Sequence, residues 1–242
     1  MSQPGKSART TRANDELREI SIERDRAPYA EGSCVIATGM TQVLCTASVQ
    51  QGVPDWRRGS GLGWVTAEYA MLPRATHTRT GRERGKVGGR TQEIQRLIGR
   101  ALRASIDLAG LGERSILIDC DVLVADGGTR TAAITGAAIA LHDACQWLID
   151  QGQIETSPMR ELVAATSVGI IDGQPRLDLD YVEDVRADVD MNLVALESGR
   201  LVEVQGTAEN QSFSPDELQA LLAIGLDGIT RLLGFQRAAL AR

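Results

Sequence analysis

SILIDCDVLVADGGTRTAAITGAAIALHDACQWLI, residues 115–149, decides the fold. Its first ten residues, 115–124, are β-branched and aliphatic and read as a strand with Asp119 and Asp121 on one face. Residues 130–149 are apolar nearly all round, with Ala, Ile, Leu, Cys and Trp147. A helix without a polar face is central and covered on most sides. Between strand and helix stands Gly127-Gly128-Thr129-Arg130-Thr131, and a similar run, Gly88-Gly89-Arg90-Thr91, occurs about forty residues earlier.

Each run is a glycine pair, an arginine and hydroxyl residues, and each opens a segment of helical periodicity. The free N–H groups of a helix start point at whatever precedes it, and the helix dipole favours negative charge there. Glycine lets the backbone approach an anion closely, and arginine adds a planar fork of donors suited to phosphate. Two such starts in one chain suggest a phosphate site built from both. Singly, each is also an ordinary loop-to-helix junction.

Outward from this centre, residues 17–24, 33–38 and 42–49 are short β-branched runs forming a strand meander, and 64–72 is a further extended segment. Residues 91–108 form an amphipathic helix with Ile94, Leu97, Ile98, Ala101, Leu102 and Ser105 on one face. Arg96, Arg100 and Arg103 stripe the other face, toward RNA, an acidic neighbouring subunit or solvent. Residues 163–171 and 176–181 read as strands, and 192–197 with 201–206 as a hairpin across Ser198-Gly199. The last helix starts at Ser214, with Pro215 at its first position and Glu217 closing a capping box. The pattern is α+β, read as one domain over 1–242 with a poorly ordered polar leader over 1–14.

Composition narrows the class. A compact domain of 242 residues buries roughly 70–75% of its unfolded surface. Aromatics make up only 3% of the chain, so small aliphatic residues must fill the core. Cys34, Cys45, Cys120 and Cys145 are widely spaced in apolar surroundings, as buried free thiols of a reducing compartment are. Neither a signal peptide nor a run of about 18 apolar residues is evident, which points to the cytoplasm. Net charge is −6, yet Arg74, Arg79, Arg82, Arg84, Lys86 and Arg90 stand against Glu83 alone between positions 74 and 90. A basic segment on an acidic body is a focused anion-binding surface or a solvated loop.

A second cluster is acidic: Asp178, Asp180, Glu183, Asp184, Asp188 and Asp190. Mg²⁺ prefers one or two carboxylates plus substrate phosphates, and a carboxylate near a leaving oxygen can act as a general acid. Such clusters also occur simply as solvated surface. The alternation Leu177-Asp178-Leu179-Asp180 suggests strand placement. Gly5-Lys6-Ser7 imitates the end of a Walker A motif without the earlier glycine. Of the two histidines, His77 sits in the basic loop and His142 in the apolar helix, where a satisfied core residue is expected. No GxSxG or HExxH motif supports a nucleophile elbow or a zincin site.

GWVTAEYAMLPRATHTR (63–79), GGRTQEIQRLIGRALRA (88–104), DCDVLVADGGTRTAAITGA (119–137), LDLDYVEDVRADVDMN (177–192) and VEVQGTAE (202–209) together resemble the bacterial ribonuclease PH family, in order and over about 16–240. The resemblance implies a two-layer α+β ribonuclease PH fold and a homohexameric ring, a trimer of dimers. It implies phosphorolytic trimming of RNA 3′ ends, transfer-RNA precursors above all, with inorganic phosphate as co-substrate and nucleoside 5′-diphosphates released. Arg90, Gly128, Thr129 and Arg130 match the phosphate-binding positions. Asp184 and Asp190 match paired carboxylates that hold a divalent metal such as Mg²⁺ or supply the acid. Arg74, Arg79 and Arg82 match residues that guide RNA, with Arg96 and Arg100 as further RNA contacts.

Two departures stand out: Thr11 replaces a glycine before Arg12, with Arg9 displaced, and the early hairpin reads Gly39-Met40-Thr41. Two other classes compete with the enzyme. A catalytically silent RNA-binding ring subunit should have lost phosphate or carboxylate residues, and both sets stand here. A nucleotide kinase or NTPase lacks its Walker A motif.

Overall fold

The structure, a computed structural model, describes Arg9, residues 12–83, Gly85, residues 87–209 and residues 212–242. Most of the expected leader therefore lies outside the described residues. Within it, Arg9 is held by Glu183 through bonds of 2.6 and 2.7 Å, and Arg12 reaches the same carboxylate, so the leader is anchored where it is described.

The first half of the chain builds a five-stranded sheet from β1 (Ile20–Arg24), β2 (Gly32–Thr38), β3 (Thr41–Gln51), β4 (Trp64–Met71) and β5 (Arg114–Val124). Its order is β1-β2-β3-β5-β4, antiparallel except for the parallel pair β4/β5. A parallel neighbour needs a crossover, and helix α1 (Gly89–Ser105) supplies it, followed by the short α2 (Leu108–Leu111). The helix expected over 91–108 thus stops at Ser105. The strand expected over 17–24 begins only at Ile20.

The apolar helix α3 (Thr129–Asp150) packs on β2, β3 and β5. Cys34, Cys45 and Cys120 stand in register across β2, β3 and β5 and are essentially inaccessible. The Cys34 thiol donates to the Gly136 carbonyl at 3.2 Å. A side chain at Gly136 would meet Ile36 Cγ2 at 2.8 Å and Cys45 Sγ at 2.9 Å, so small groups on both elements permit the close approach. All four cysteines are free and buried, as expected, and burial pushes the Cys145 thiol up to about 12.

The second half forms an antiparallel sheet of order β7-β6-β8-β9 from β6 (Val163–Ile171), β7 (Gln174–Leu177), β8 (Val189–Leu196) and β9 (Leu201–Ala208). Helix α4 (Tyr181–Arg186) links β7 to β8, and α5 (Pro215–Leu240) covers β6, β7 and β8. All nine residues of β6 are buried because α5 lies against the strand on one side and α3 on the other. The α3–β6 seam is stapled by polar groups. The Thr135 hydroxyl exchanges bonds with the Ala165 backbone, and the buried Gln236 amide donates to both Thr135 O and Val163 O. Each half is a sheet layered with helices, in agreement with the α+β expectation.

Three local expectations change. The strand expected over 176–181 ends at Leu177: Asp178 turns to φ +54 and Asp180 becomes the N-cap of α4, with Glu183 completing a capping box. His142 is only half buried beside Asp143. By length and composition α3 and α5 are apolar enough to cross a membrane, contrary to the reading of no such run. The α3 stretch is 78% buried as a core helix, whereas α5 lays one face on the second sheet.

Candidate active site at the seam of the two sheets

The turn before α3 is what the glycines allow. Gly127 and Gly128 have φ of +73 and +64, and a Cβ at Gly127 would lie 2.5 Å from Leu179 O. The turn's carbonyls are tied down on the far side. Thr41 donates to Gly127 O at 2.7 Å, and Arg18 donates to Asp126 O at 2.6 Å. No side chain caps α3, nor α1 behind Gly88, so first-turn N–H groups stay open.

Arg18 is itself clamped by Asp178, through Nη2 at 2.7 Å and Nε at 3.1 Å. The two sequence departures leave this arrangement intact. Met40 is a solvent-exposed tip, while Thr41 beside it keeps the hydroxyl that pins the turn. Arg9 and Arg12 serve the ion-pair network of Asp178, Glu183 and Arg176 behind the turn; Thr11 lies outside the described residues. Burial alone would raise the Glu183 pKa, but the Arg9 bond and charge hold it below the ordinary value.

The network also sorts the acidic cluster. Asp178 and Glu183 are committed to arginines and Asp180 to the α4 cap. Asp184 and Asp190 have no ion-pair or hydrogen-bond partner for their side chains among the described residues. Both border a cleft of about 430 Å³ shared with Arg90, Gly128, Thr129 and Arg130. All six residues read from sequence as phosphate or carboxylate positions therefore meet in one cavity. Desolvation in the cleft raises Asp184, against the opposing charges of Arg90 and Arg130. Asp190 is pushed up to about 6, first by burial and then by the charge of Asp184.

Several residues in the cleft and behind its lining escaped the sequence reading. Tyr69 on β4 places its hydroxyl 2.8 Å from that of Thr129. Gln205 on β9 accepts from Arg130 Nη1 at 2.9 Å and donates to Glu93 on α1 at 2.9 Å, steering the guanidinium from two elements. Ser167, Asn192 and Tyr181 complete the wall on the second-sheet side. Tyr69 shares its strand face with Val65 and Ala67, all three buried. Nothing in the sequence indicated which hydroxyl it would meet.

The basic loop arches over this cleft with His77 at its lining. Arg74, Arg79 and Arg82 are exposed and make no ion pair among the described residues; Arg84 and Lys86 lie outside them. The α1 stripe is different. Arg100 pairs with Glu203 of β9, and Arg103 donates to Val65 O at 2.9 Å while lying 4.4 Å over the Trp64 ring. Part of the stripe is thus engaged within the chain itself, by its own second sheet, and Arg96 alone of the three stays exposed without an ion pair among the described residues.

Anion donors on one wall and two unpartnered carboxylates on the other fit a hard divalent cation shared with substrate phosphate. No group of three or more His, Cys, Asp or Glu gathers among the described residues, so an all-protein metal cage is not the arrangement. The chain belongs to the 3′ exoribonuclease family: domain 1 of that family matches residues 16–145 and domain 2 matches 161–228.

Solved structures share the fold. Rice (Oryza sativa) Rrp46 superimposes with a TM-score of 0.79 at 21% identity, over 96% of this chain and 99% of that one. The Archaeoglobus fulgidus exosome with RNA bound to the active site gives 0.77 at 21% identity, over 91% and 89%. An archaeal exosome core gives 0.75 at 20% identity, over 93% and 89%.

Proposed function

We propose that this protein is a phosphorolytic 3′→5′ exoribonuclease of the bacterial ribonuclease PH type, trimming transfer-RNA precursors and other RNA 3′ ends in the cytoplasm. The observation that carries the reading is the meeting of Arg90, Thr129 and Arg130 with Asp184 and Asp190 in one cleft. Inorganic phosphate sits at the glycine turn, held by the N–H groups at the start of α3 and by the two guanidiniums. A phosphate oxygen attacks the terminal phosphodiester, the P–O3′ bond breaks, and the products are a nucleoside 5′-diphosphate and RNA shorter by one residue. No protein nucleophile takes part.

The work of the chain is to bring two anions together and spread the charge of the transition state. Asp184 and Asp190 would hold Mg²⁺, which when bound neutralises charge on the reacting phosphoryl oxygens and the departing O3′. Arg74, Arg79 and Arg82, with Arg96 and a partly engaged Arg100, contact the RNA backbone. A homohexameric ring of three dimers is the assembly this reading carries. The Archaeoglobus fulgidus exosome of the same fold, with RNA bound to its active site, supports RNA as ligand.

A second reading is a ring subunit that holds RNA without cleaving it. Incubation with a 3′-extended transfer RNA and Mg²⁺, with and without phosphate, separates the two. Phosphate-dependent nucleoside diphosphates support phosphorolysis. Monophosphates released without phosphate mean hydrolysis, and tight binding without release favours the silent subunit.

A further inference from the structure

Tyr69 is 5% exposed, and its hydroxyl has one hydrogen bond among the described residues, the 2.8 Å contact with Thr129 Oγ1. Thr129 is the first residue of α3 and borders the cleft, so its hydroxyl lies between the phenol and the anion site. Each hydroxyl has a single proton to donate and lone pairs to accept with. A deprotonated phosphate oxygen can only accept. When Thr129 donates to it, the one role left for Tyr69 in this contact is donor to Thr129.

We propose that Tyr69 is a positioning residue for the attacking phosphate: its phenol donates to Thr129 Oγ1 and so directs the Thr129 proton at a phosphate oxygen. This rests on the phosphorolytic reading of the cleft. Two donors in series polarise one another, which strengthens the outer one. The outer donor bonds most strongly to an oxygen that carries negative charge, as a phosphate oxygen does. Burial keeps the phenol protonated, while the guanidiniums of Arg90 and Arg130 lie close enough to act on it.

Tyr69→Phe keeps the ring and removes only the donor. The test measures phosphate binding by calorimetry in the absence of RNA, with melting temperature as a check on folding, and the KM for phosphate and for RNA in turnover. Expected is weaker phosphate binding in Tyr69→Phe by about fivefold, the factor for one hydrogen bond of roughly 1 kcal/mol, with the RNA KM unmoved. Thr129→Val should weaken phosphate further, and adding Tyr69→Phe to it should cost nothing more, because the relay is already cut.

A Tyr69→Phe protein with unchanged phosphate affinity overturns the positioning role and leaves phosphorolysis standing. Fully additive effects of the two substitutions overturn it as well, since the phenol would then act apart from Thr129. A wild-type protein that binds no phosphate and releases monophosphates removes the phosphorolytic reading and the relay with it.

Discussion

The charge of Asp184 raises the proton affinity of Asp190, adding to a burial effect that together bring Asp190 to about 6. Arg130 and Arg90 oppose the rise without cancelling it. A carboxylate raised in this way favours the folded state when protonated. That stabilisation is complete below its unfolded value of about 4 and is lost as pH rises through about 6. Asp190→Asn should therefore raise the melting temperature at pH 8, and the gain should vanish below about pH 4. Carboxyl NMR titration should place Asp190 near 6 and move it down in Asp184→Asn.

Arg130 is aimed by Gln205 and Glu93 and stands beside Thr129 at the start of α3. Arg130→Ala should reduce phosphorolysis by about 10²–10³-fold, the usual effect of losing one donor to transition-state charge, with little change in far-UV circular dichroism. Single-turnover rates at saturating RNA and varied phosphate measure it. Unchanged phosphate dependence would remove Arg130 from the anion site.

The loop arginines act on a different quantity. If Arg74, Arg79 and Arg82 each neutralise one RNA phosphate, the triple alanine variant should show a salt slope shallower by about 2 for single-stranded RNA. Filter binding across a range of KCl concentrations reads this directly. An unaltered slope excludes the contacts.

Arg18 and Asp178 form a pair with side chains only 8% and 5% exposed. Removing one partner leaves a buried charge without compensation, which costs about 3–5 kcal/mol. Arg18→Met should therefore destabilise the protein by roughly that much in urea denaturation. Phosphate affinity should fall with it, because the same guanidinium pins the Gly127-Gly128 turn.

Gly136 tests packing apart from chemistry. Gly136→Ala drives a methyl group into Ile36 and Cys45 and should destabilise by about 1–3 kcal/mol. The phosphate KM should stay put, since Gly136 lies two turns beyond the cleft. Cys45→Ala in the same background should recover part of the loss.

What was legible in the sequence was local. Gly127-Gly128 and Gly88-Gly89 announced helix starts because turn chemistry is written in adjacent residues, and both starts border the cleft. The sorting of the acidic cluster was not legible from spacing. Glu183 is claimed by Arg9, 174 positions away, and Asp178 by Arg18, 160 positions away. Asp184 and Asp190 came from family resemblance; their freedom is known only once those partners are placed. The strand expected across Asp178 failed for the same reason, because the turn at that residue serves a distant arginine. Tyr69 went unnoticed inside the extended segment 64–72, with its phenol's partner 60 positions on.

The staples that join α3 to β6, Thr135 to Ala165 and Gln236 to both backbones, lie deeper than any loop around the cleft. The anion donors ride on the elements of the first half and the carboxylates on those of the second. The separation between these two sets of side chains is therefore gauged by a buried joint. On the phosphorolytic reading, a ligand or neighbouring chain that pried this joint would slow turnover by parting the two sets of side chains, without touching any of them directly.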